Sequence, residues 1–380
     1  MATREEVPGI KRVLMTTDTL GGIWTYTLEL ASALGQHEIQ VALAAMGAHL
    51  SASQRAEVRE IPALTVLESS FKLEWMADPW QDVGRAGRWL LELEEAIRPD
   101  VVHLNSYSYG ALPWQTPTLV VGHSCVLSWW EAVKGEPAPD TWQRYRHEVA
   151  RGLRGADLVL APTRAMLSVL EHHYGPFGRS RVVPNGRDPG LFRPGVKAPF
   201  IFAMGRLWDE AKNVAMLDKV APSLTWPIYV AGEDHHPAGG EVRYRAVRSL
   251  GRLEAPAAAR WLARAAIYAL PARYEPFGLS ILEAGLAGCA LVLGDIPSLR
   301  EVWDDVAVFV PPDDAGALAV TLQGLTRDAA RRVEFAARAR ARALQLTPQR
   351  MSAGYLAVYR ELSSIRQGRA GPLGVNVVGG

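Results

Sequence analysis

The chain has 380 residues, of which 48% are hydrophobic and 21% charged, and its 41 Lys and Arg against 40 Asp and Glu leave a formal charge of +1. A disordered chain is poorer in apolar residues and more lopsided in charge, and a bulk nucleic-acid surface is strongly basic; both are excluded, and only a local basic patch stays open. At about 150 residues per domain the length predicts two or three domains.

Two cysteines, Cys125 and Cys289, build neither a disulfide scaffold nor a Cys-based zinc site, so a reducing compartment is expected. The opening MATREEVPGIKRVLM holds no apolar run of leader length. No stretch of about 18 uncharged apolar residues occurs anywhere, which predicts a cytoplasmic chain that spans no membrane.

Short apolar runs alternate with longer amphipathic segments. Arg12 to Met15 predicts a strand, Gly21-Gly22 a turn, and Ile23 to Leu34 a helix. Strands are then predicted at Ile39 to Ala44, Ile61 to Leu67, Val101 to Leu104, Thr118 to Val121, Leu158 to Ala161 and Val182-Val183. Helices between them include Arg85 to Ile97 and Trp142 to Leu153. Continuous rather than alternating apolar runs point to strands buried on both faces, and strand–helix repetition points to a doubly wound parallel sheet.

Residues Pro184 to Pro199 carry four prolines and three glycines, a linker composition. The alternation then restarts. Strands are predicted at Phe200 to Met204, Ile228 to Val230, Ile267 to Leu270, Leu291 to Leu293 and Val306 to Val310. Helices are predicted at Val214 to Val220, Pro256 to Arg264, Leu279 to Ala287 and Ala315 to Leu325. Two α/β domains are therefore expected, residues 1–190 and 191–345. Two further helices follow, about Arg327 to Ala343 and Pro348 to Ser364. The first holds six arginines, which suit either a solvated face or a weak peripheral contact with anionic lipid at the inner face of a membrane. Residues 366–380 show no helical period and are expected as a flexible tail.

Familiar constellations are missing: there is no G-x-G-x-x-G after a strand, no G-x-x-x-x-G-K-[ST], and no D-x-D. Asp234-His235-His236 is expected to be a solvated loop rather than a metal tripeptide. The chemistry concentrates elsewhere. PARYEPFGLSILEA, residues 271 to 284, places Glu275 in the loop after a strand and Glu283 eight residues on, inside a helix. Open α/β sheets bind ligands at such strand ends, and a carboxylate accepts hydrogen bonds from vicinal hydroxyls. Gly278 allows close backbone approach. The structural alternative is that Glu275 caps the helix and Glu283 pairs with an arginine.

AMGRLWDEAKN, residues 203 to 213, offers Arg206 and Lys212 at another strand end, a cation pair suited to a diphosphate and to the negative charge of a departing one. Solvated cations paired with Asp209 or Glu210 are the plainer alternative. VVPNGRD leaves the first domain, the backbone N–H groups of Gly21-Gly22 could face the same diphosphate, and His123 stands at a first-domain strand end; ordinary turns and a structural histidine are the plainer alternatives. Eight of twelve tryptophans precede residue 150. Of these, Trp129 and Trp130 are candidates for stacking on an acceptor sugar, the alternative being packing under the loop before Trp142.

The ordered set of Gly-Gly, strand-end His, PNG, G-R-L-x4-K and E-P-F-G-x4-E resembles the retaining glycosyltransferases of family 4, whose E-x7-E spacing runs here from Glu275 to Glu283. The resemblance implies a GT-B fold, two Rossmann-like domains facing across a cleft. It implies that Arg206 and Lys212 hold the diphosphate and Glu283 the ribose. Glu275 and the backbone of Phe277, Gly278 and Leu279 would hold the donor sugar, which His123 approaches from the other side. The base would lie near Gly251, Arg252 and Leu253, and the last helix would cross back to the first domain. No cofactor or metal is implied: the nucleotide sugar is a co-substrate, and the acceptor is a saccharide, a lipid-linked group or another hydroxyl compound. An epimerase or hydrolase on this fold, and a non-catalytic sugar-nucleotide binder, are the alternatives. The first needs an added acid/base set, and the second is opposed by Arg206, Lys212, Glu275 and Glu283.

Overall fold

The computed structural model describes residues 9–235 and 239–369. Seven parallel strands form the first sheet: β1 (Arg12–Asp18), β2 (Gln40–Met46), β3 (Leu64–Glu68), β4 (Val101–Leu104), β5 (Thr118–Val121), β6 (Leu158–Ala161) and β7 (Ser180–Val182). Their order is β3-β2-β1-β4-β5-β6-β7. The second sheet has β8 (Ala198–Met204), β9 (Ile228–Ala231), β10 (Arg248–Ser249), β11 (Ala265–Leu270), β12 (Ala290–Gly294) and β13 (Val308–Val310), in the order β10-β9-β8-β11-β12-β13. Each sheet therefore grows outward from its first strand in both directions. The direction of winding reverses between β1 and β4, and again between β8 and β11, which is where doubly wound sheets open a crevice at their carboxyl ends.

Burial explains the continuous apolar runs. β4, β5, β6, β11 and β12 are buried along their whole length. Helices cover both faces, so each sheet divides two apolar clusters. Met15, Val41, Leu119 and Leu160 look to one side of the first sheet, and Leu14, Ala44, Val120 and Val159 to the other. Phe202, Tyr268 and Leu291 stand against Ile201, Ile267 and Val292 in the same way across the second.

Some element bounds move. The third strand starts at Leu64, because Ile61 is spent on a turn in which Leu64 N–H donates to its carbonyl. The strand expected from Val306 starts at Val308, since the N–H groups of Val306 and Ala307 both donate to Trp303 O. The last helix continues to Arg369, four residues into the segment expected as tail; residues 370–380 lie outside the described residues. In the arginine-rich helix Ala329–Ala343, Arg332 stacks on Trp226 at 4.8 Å and Arg342 donates to Val302 O at 2.7 Å. These two cations are used inside the protein. Among the described residues no helix is long and apolar enough to cross a membrane.

Candidate active site

Three strand ends of the second sheet converge on the expected donor residues. After β8, the chain turns at Gly205, and Arg206 donates to Asp209 Oδ2 at 2.7 Å. A single 3-10 turn, Glu210–Lys212, then brings Lys212 Nζ to 2.6 Å from Glu275 Oε2, which comes from the loop after β11. Both members of that pair are nearly buried, so each charge depends on the other. After β9, Gly232 has φ +150, and a Cβ there would run into the carbonyl oxygen of Gly205. Only glycine lets the β9 loop lie against the arginine turn. Gly232 N–H also donates to Gly251 O at 2.9 Å, which sets exposed Arg252 and half-buried Leu253 beside this loop.

The helix Leu279–Leu286 begins at Gly278, whose φ of +86 places it in the left-handed region that favours glycine. Phe277 is buried beneath this start, and Leu279 packs against the apolar clusters of both domains. Ser298 Oγ donates to Glu275 O at 2.6 Å and fixes the loop from behind. One turn and more into the helix, Glu283 is buried and accepts from Arg187 Nε at 2.9 Å. The pairing of Glu283 with an arginine, named above as the structural alternative, is therefore present. Glu275 does not cap the helix through its side chain.

The first domain supplies the opposite wall. Gly21 lies so close to Arg206 that a Cβ on it would stand 4.0 Å from Nη1, and one on Gly22 would stand 3.7 Å from Leu279 Cδ1. The glycine turn thus faces both the arginine and the helix start. Asp18, at the end of β1, accepts from Leu20 N–H at 2.9 Å. Burial raises its carboxyl above the ordinary range, against the pull of that N–H and of Arg206 across the cleft.

His123 follows β5, and its Nε2 lies 2.8 Å from Asn105 Oδ1. Asn105 Nδ2 already donates to Thr16 O, so Oδ1 is the acceptor and Nε2 carries the proton. Nδ1 is then the accepting nitrogen of a neutral ring. The ring packs edge-on against Tyr26 at 4.5 Å.

Behind it lies a buried relay. Tyr359 O–H donates to His103 Nδ1 at 2.8 Å, His103 Nε2–H donates to Tyr26 Oη at 3.2 Å, and Tyr26 O–H donates to Tyr355 Oη at 2.5 Å. Burial lowers both His103 and His123 to about 3. Their folded values lie below the ordinary unfolded one, so the unfolded chain takes up protons first as pH falls. Stability is complete above about pH 6.5 and is lost from there toward pH 3, by about 1.4 kcal/mol per pH unit per histidine. Urea midpoints measured from pH 7 to 4 should fall accordingly, and His103→Gln should flatten the slope. A midpoint independent of pH would refute this.

The two walls are joined. Tyr274, beside Glu275, accepts from Cys125 N–H at 3.1 Å and shares a 2.8 Å hydrogen bond with Ser128 Oγ. Glu301 accepts from the N–H groups of Arg164 and Ala165 at 2.7 and 2.8 Å, so a second-domain carboxylate caps a first-domain helix. Trp129 Nε1 donates to Asp209 Oδ1 at 2.9 Å, and Lys134 lies 5.8 Å over its ring while pairing with Glu210. Trp129 therefore spends its polar atom on the second domain. Trp130 packs edge-on to it at 5.9 Å, with its own Nε1 buried and without a hydrogen-bond partner among the described residues. Trp142 packs on Tyr145.

The loop holding Asp234 and His235 is partly exposed, and His236 lies outside the described residues. Glu233, Asp234 and His235 come together there as a group able to hold a cation, as do Glu131, His172 and His173 elsewhere. Neither group includes Lys212 or Glu275.

Sequence reasoning passed over Asp18, Asn105, Arg187 and Tyr274. Asp18 lies three residues past the strand expected over Arg12 to Met15, which in fact runs on to Asp18 just before the glycine turn. Arg187 stood inside VVPNGRD, but nothing local announces a partner 96 residues away.

Two doubly wound parallel sheets, each with its crevice at the carboxyl ends of its strands and joined across their facing loops, have the architecture of a GT-B glycosyltransferase. Comparison with known proteins agrees. Residues 20–191 match the model described as Glycosyltransferase Family 4, and residues 198–328 the one described as Glycosyl transferases group 1. Glycogen synthase of Mycobacterium tuberculosis (strain H37Rv) is 28% identical over 289 residues, 68% of this chain and 67% of that one. Phosphatidyl-myo-inositol mannosyltransferase of Mycolicibacterium smegmatis is 29% identical over 205 residues, 48% of this chain and 52% of that one. Among solved structures, sucrose-phosphate synthase from Thermosynechococcus elongatus superposes with a TM-score of 0.79 at 17% identity, covering 93% of this chain and 100% of that one. Anabaena HepE in complex with UDP and glucose gives 0.69 at 15%, over 93% and 100%. The chain belongs to the family 4 glycosyltransferases, enzymes that move a sugar from a nucleotide sugar to an acceptor.

Proposed function

We propose that this enzyme is a retaining hexosyltransferase that moves a hexose from a nucleoside diphosphate to a saccharide hydroxyl. One observation carries the reading: Lys212 and Glu275 meet at adjoining strand ends, and Arg206, from the same loop as Lys212, faces the Gly21-Gly22 turn. The cation pair takes the diphosphate, and the glycine turn adds backbone N–H groups from the other wall. Glu275 accepts from hydroxyls of the sugar ring, supported by the backbone at Phe277, Gly278 and Leu279, and Glu283 accepts from the ribose. Arg252 and Leu253 flank the base. His123, neutral, accepts from a sugar hydroxyl through Nδ1.

In the transfer step the bond between C1 of the sugar and the diphosphate oxygen breaks. The acceptor oxygen forms its bond to C1 on the same face, and its proton passes to the leaving diphosphate. Arg206 and Lys212 stabilise the charge that develops there. Trp129 and Trp130 border the acceptor side, where an aromatic face packs against sugar C–H groups. The name of one relative, a glycogen synthase, supports a saccharide product.

Thermal shift with UDP-, GDP- and ADP-hexoses identifies the donor, because a ligand of the folded state adds RT ln(1 + [L]/Kd) to stability. If no nucleotide sugar raises the melting temperature, the donor reading fails. The cation pair supplies what a metal supplies in other sugar transferases, so turnover with the identified donor should survive EDTA. Loss of turnover on chelation, restored by a divalent ion, would overturn the metal-free reading.

A further inference from the structure

Arg187 belongs to the crossing between the domains, and its guanidinium touches both. Nε donates to Glu283 Oε1 at 2.9 Å, and Nη1 donates to Glu29 Oε2 at 2.5 Å. Glu29 lies on the first-domain helix Gly22–Gly35, and Glu283 on the second-domain helix Leu279–Leu286. All three side chains are nine-tenths buried or close to it. The guanidinium also stands 5.1 Å over the ring of Phe192.

The backbone beneath is equally constrained. Arg187 N–H donates to Leu346 O at 3.1 Å, and a Cβ on Gly186 would run into the carbonyl oxygen of Thr347. The two chain segments that pass between the domains therefore lie against each other at this arginine.

Resting on the reading of Glu283 as the ribose acceptor, we propose that Arg187 is a positioning residue that holds Glu283 as an oriented carboxylate for the donor nucleotide and anchors it, through Glu29, to the first domain. The geometry leaves Glu283 Oε2 for the ligand while Oε1 is held. A lone carboxylate in this position would lose its charge, because burial raises Glu283 above the ordinary range and Arg187 is what opposes the rise. The other titratable group facing Glu283 is Tyr268 from β11, whose hydroxyl donates to Met204 O; burial lifts it too, so it stays neutral. Glu29, beside Asp188, is likewise raised by burial and opposed by Arg187. One guanidinium thus pairs with two buried carboxylates, one from each domain, and opposes the rise that burial imposes on both. Breaking such a group by removing one partner strands the others, whereas a lysine preserves the charge.

The test is calorimetric binding of UDP, GDP and ADP to the full chain, carrying forward the tightest binder. Arg187→Met should weaken binding at least about tenfold at pH 7, with the defect shrinking to about threefold or less at pH 9.5, as Glu283 regains its charge. Arg187→Lys should stay within about fivefold of wild type at both pH values. Glu283→Gln should weaken binding equally at both. If Arg187→Met binds like wild type while Glu283→Gln is impaired, the positioning role is wrong and the ribose reading stands. A defect in Arg187→Met that is the same at pH 7 and 9.5 means a merely structural arginine and overturns the proposal. Should Arg187→Met fail to fold by circular dichroism, Arg187→Lys decides: a folded lysine variant with a defect beyond fivefold at pH 7 overturns it. Wild-type affinity in Glu283→Gln instead removes the ribose reading itself.

Discussion

Arg206→Ala and Lys212→Ala are each expected to lose about 2–4 kcal/mol of transition-state stabilisation, roughly 30- to 1,000-fold in turnover. The two differ in what they leave behind. Arg206 is partly exposed, and its partner Asp209 keeps hydrogen bonds from Trp129 Nε1 and Ala211 N–H. Burial raises the Asp209 carboxyl, but Arg206, Lys212 and the Trp129 N–H together hold it below its ordinary range. Its alanine variant should therefore fold normally and fail in catalysis alone. Lys212 is nearly buried against Glu275, and removing it strands a carboxylate. Lys212→Ala should lose melting temperature as well as turnover. Rates at saturating donor, with melting curves beside them, separate the cases. Near wild-type turnover in both variants would show that the diphosphate binds elsewhere.

Glu275→Gln is expected to lower kcat by on the order of 10²-fold, with donor KM changed by less than about threefold. The substitution keeps shape and removes charge. On the proposed assignment, in which Glu275 touches the sugar where charge develops, the loss falls on the transition state rather than on binding. Initial rates with varied donor at saturating acceptor measure the split. A raised KM with unchanged kcat would mean that Glu275 is the ribose residue and Glu283 the sugar residue.

The legible part of the molecule is the part written in local patterns. The strands Val101–Leu104, Thr118–Val121 and Leu158–Ala161 and the helix Val214–Val220 agree with their apolar runs to the residue. β10 is two exposed polar residues at a sheet edge, with no apolar run to betray it. The helix Pro297–Trp303 is two turns long, too short for a period to emerge. For the site, Arg206, Lys212, Glu275 and Glu283 stood out by spacing within short motifs. The contacts between walls did not, because Trp129 reaches Asp209 across 80 residues and Cys125 reaches Tyr274 across 149. Such pairs depend on how two sheets face each other, which no local spacing encodes.

The order of synthesis gives the last helix a further meaning. Pro348–Arg369 packs on the first helix and on β4, and its Tyr355 and Tyr359 complete the hydrogen bonds of Tyr26 and His103. The first domain is thus finished by residues that the ribosome makes after the whole second domain. At about 5–20 residues per second, the seat of that helix stays uncovered for many seconds during translation. Over that interval an apolar groove lined by Tyr26 and Leu30 waits for its cover, while the second domain is free to fold as it emerges. Chains that stop short of Tyr355 would carry that groove permanently and should aggregate or bind holdase chaperones, even with every residue of the cleft intact.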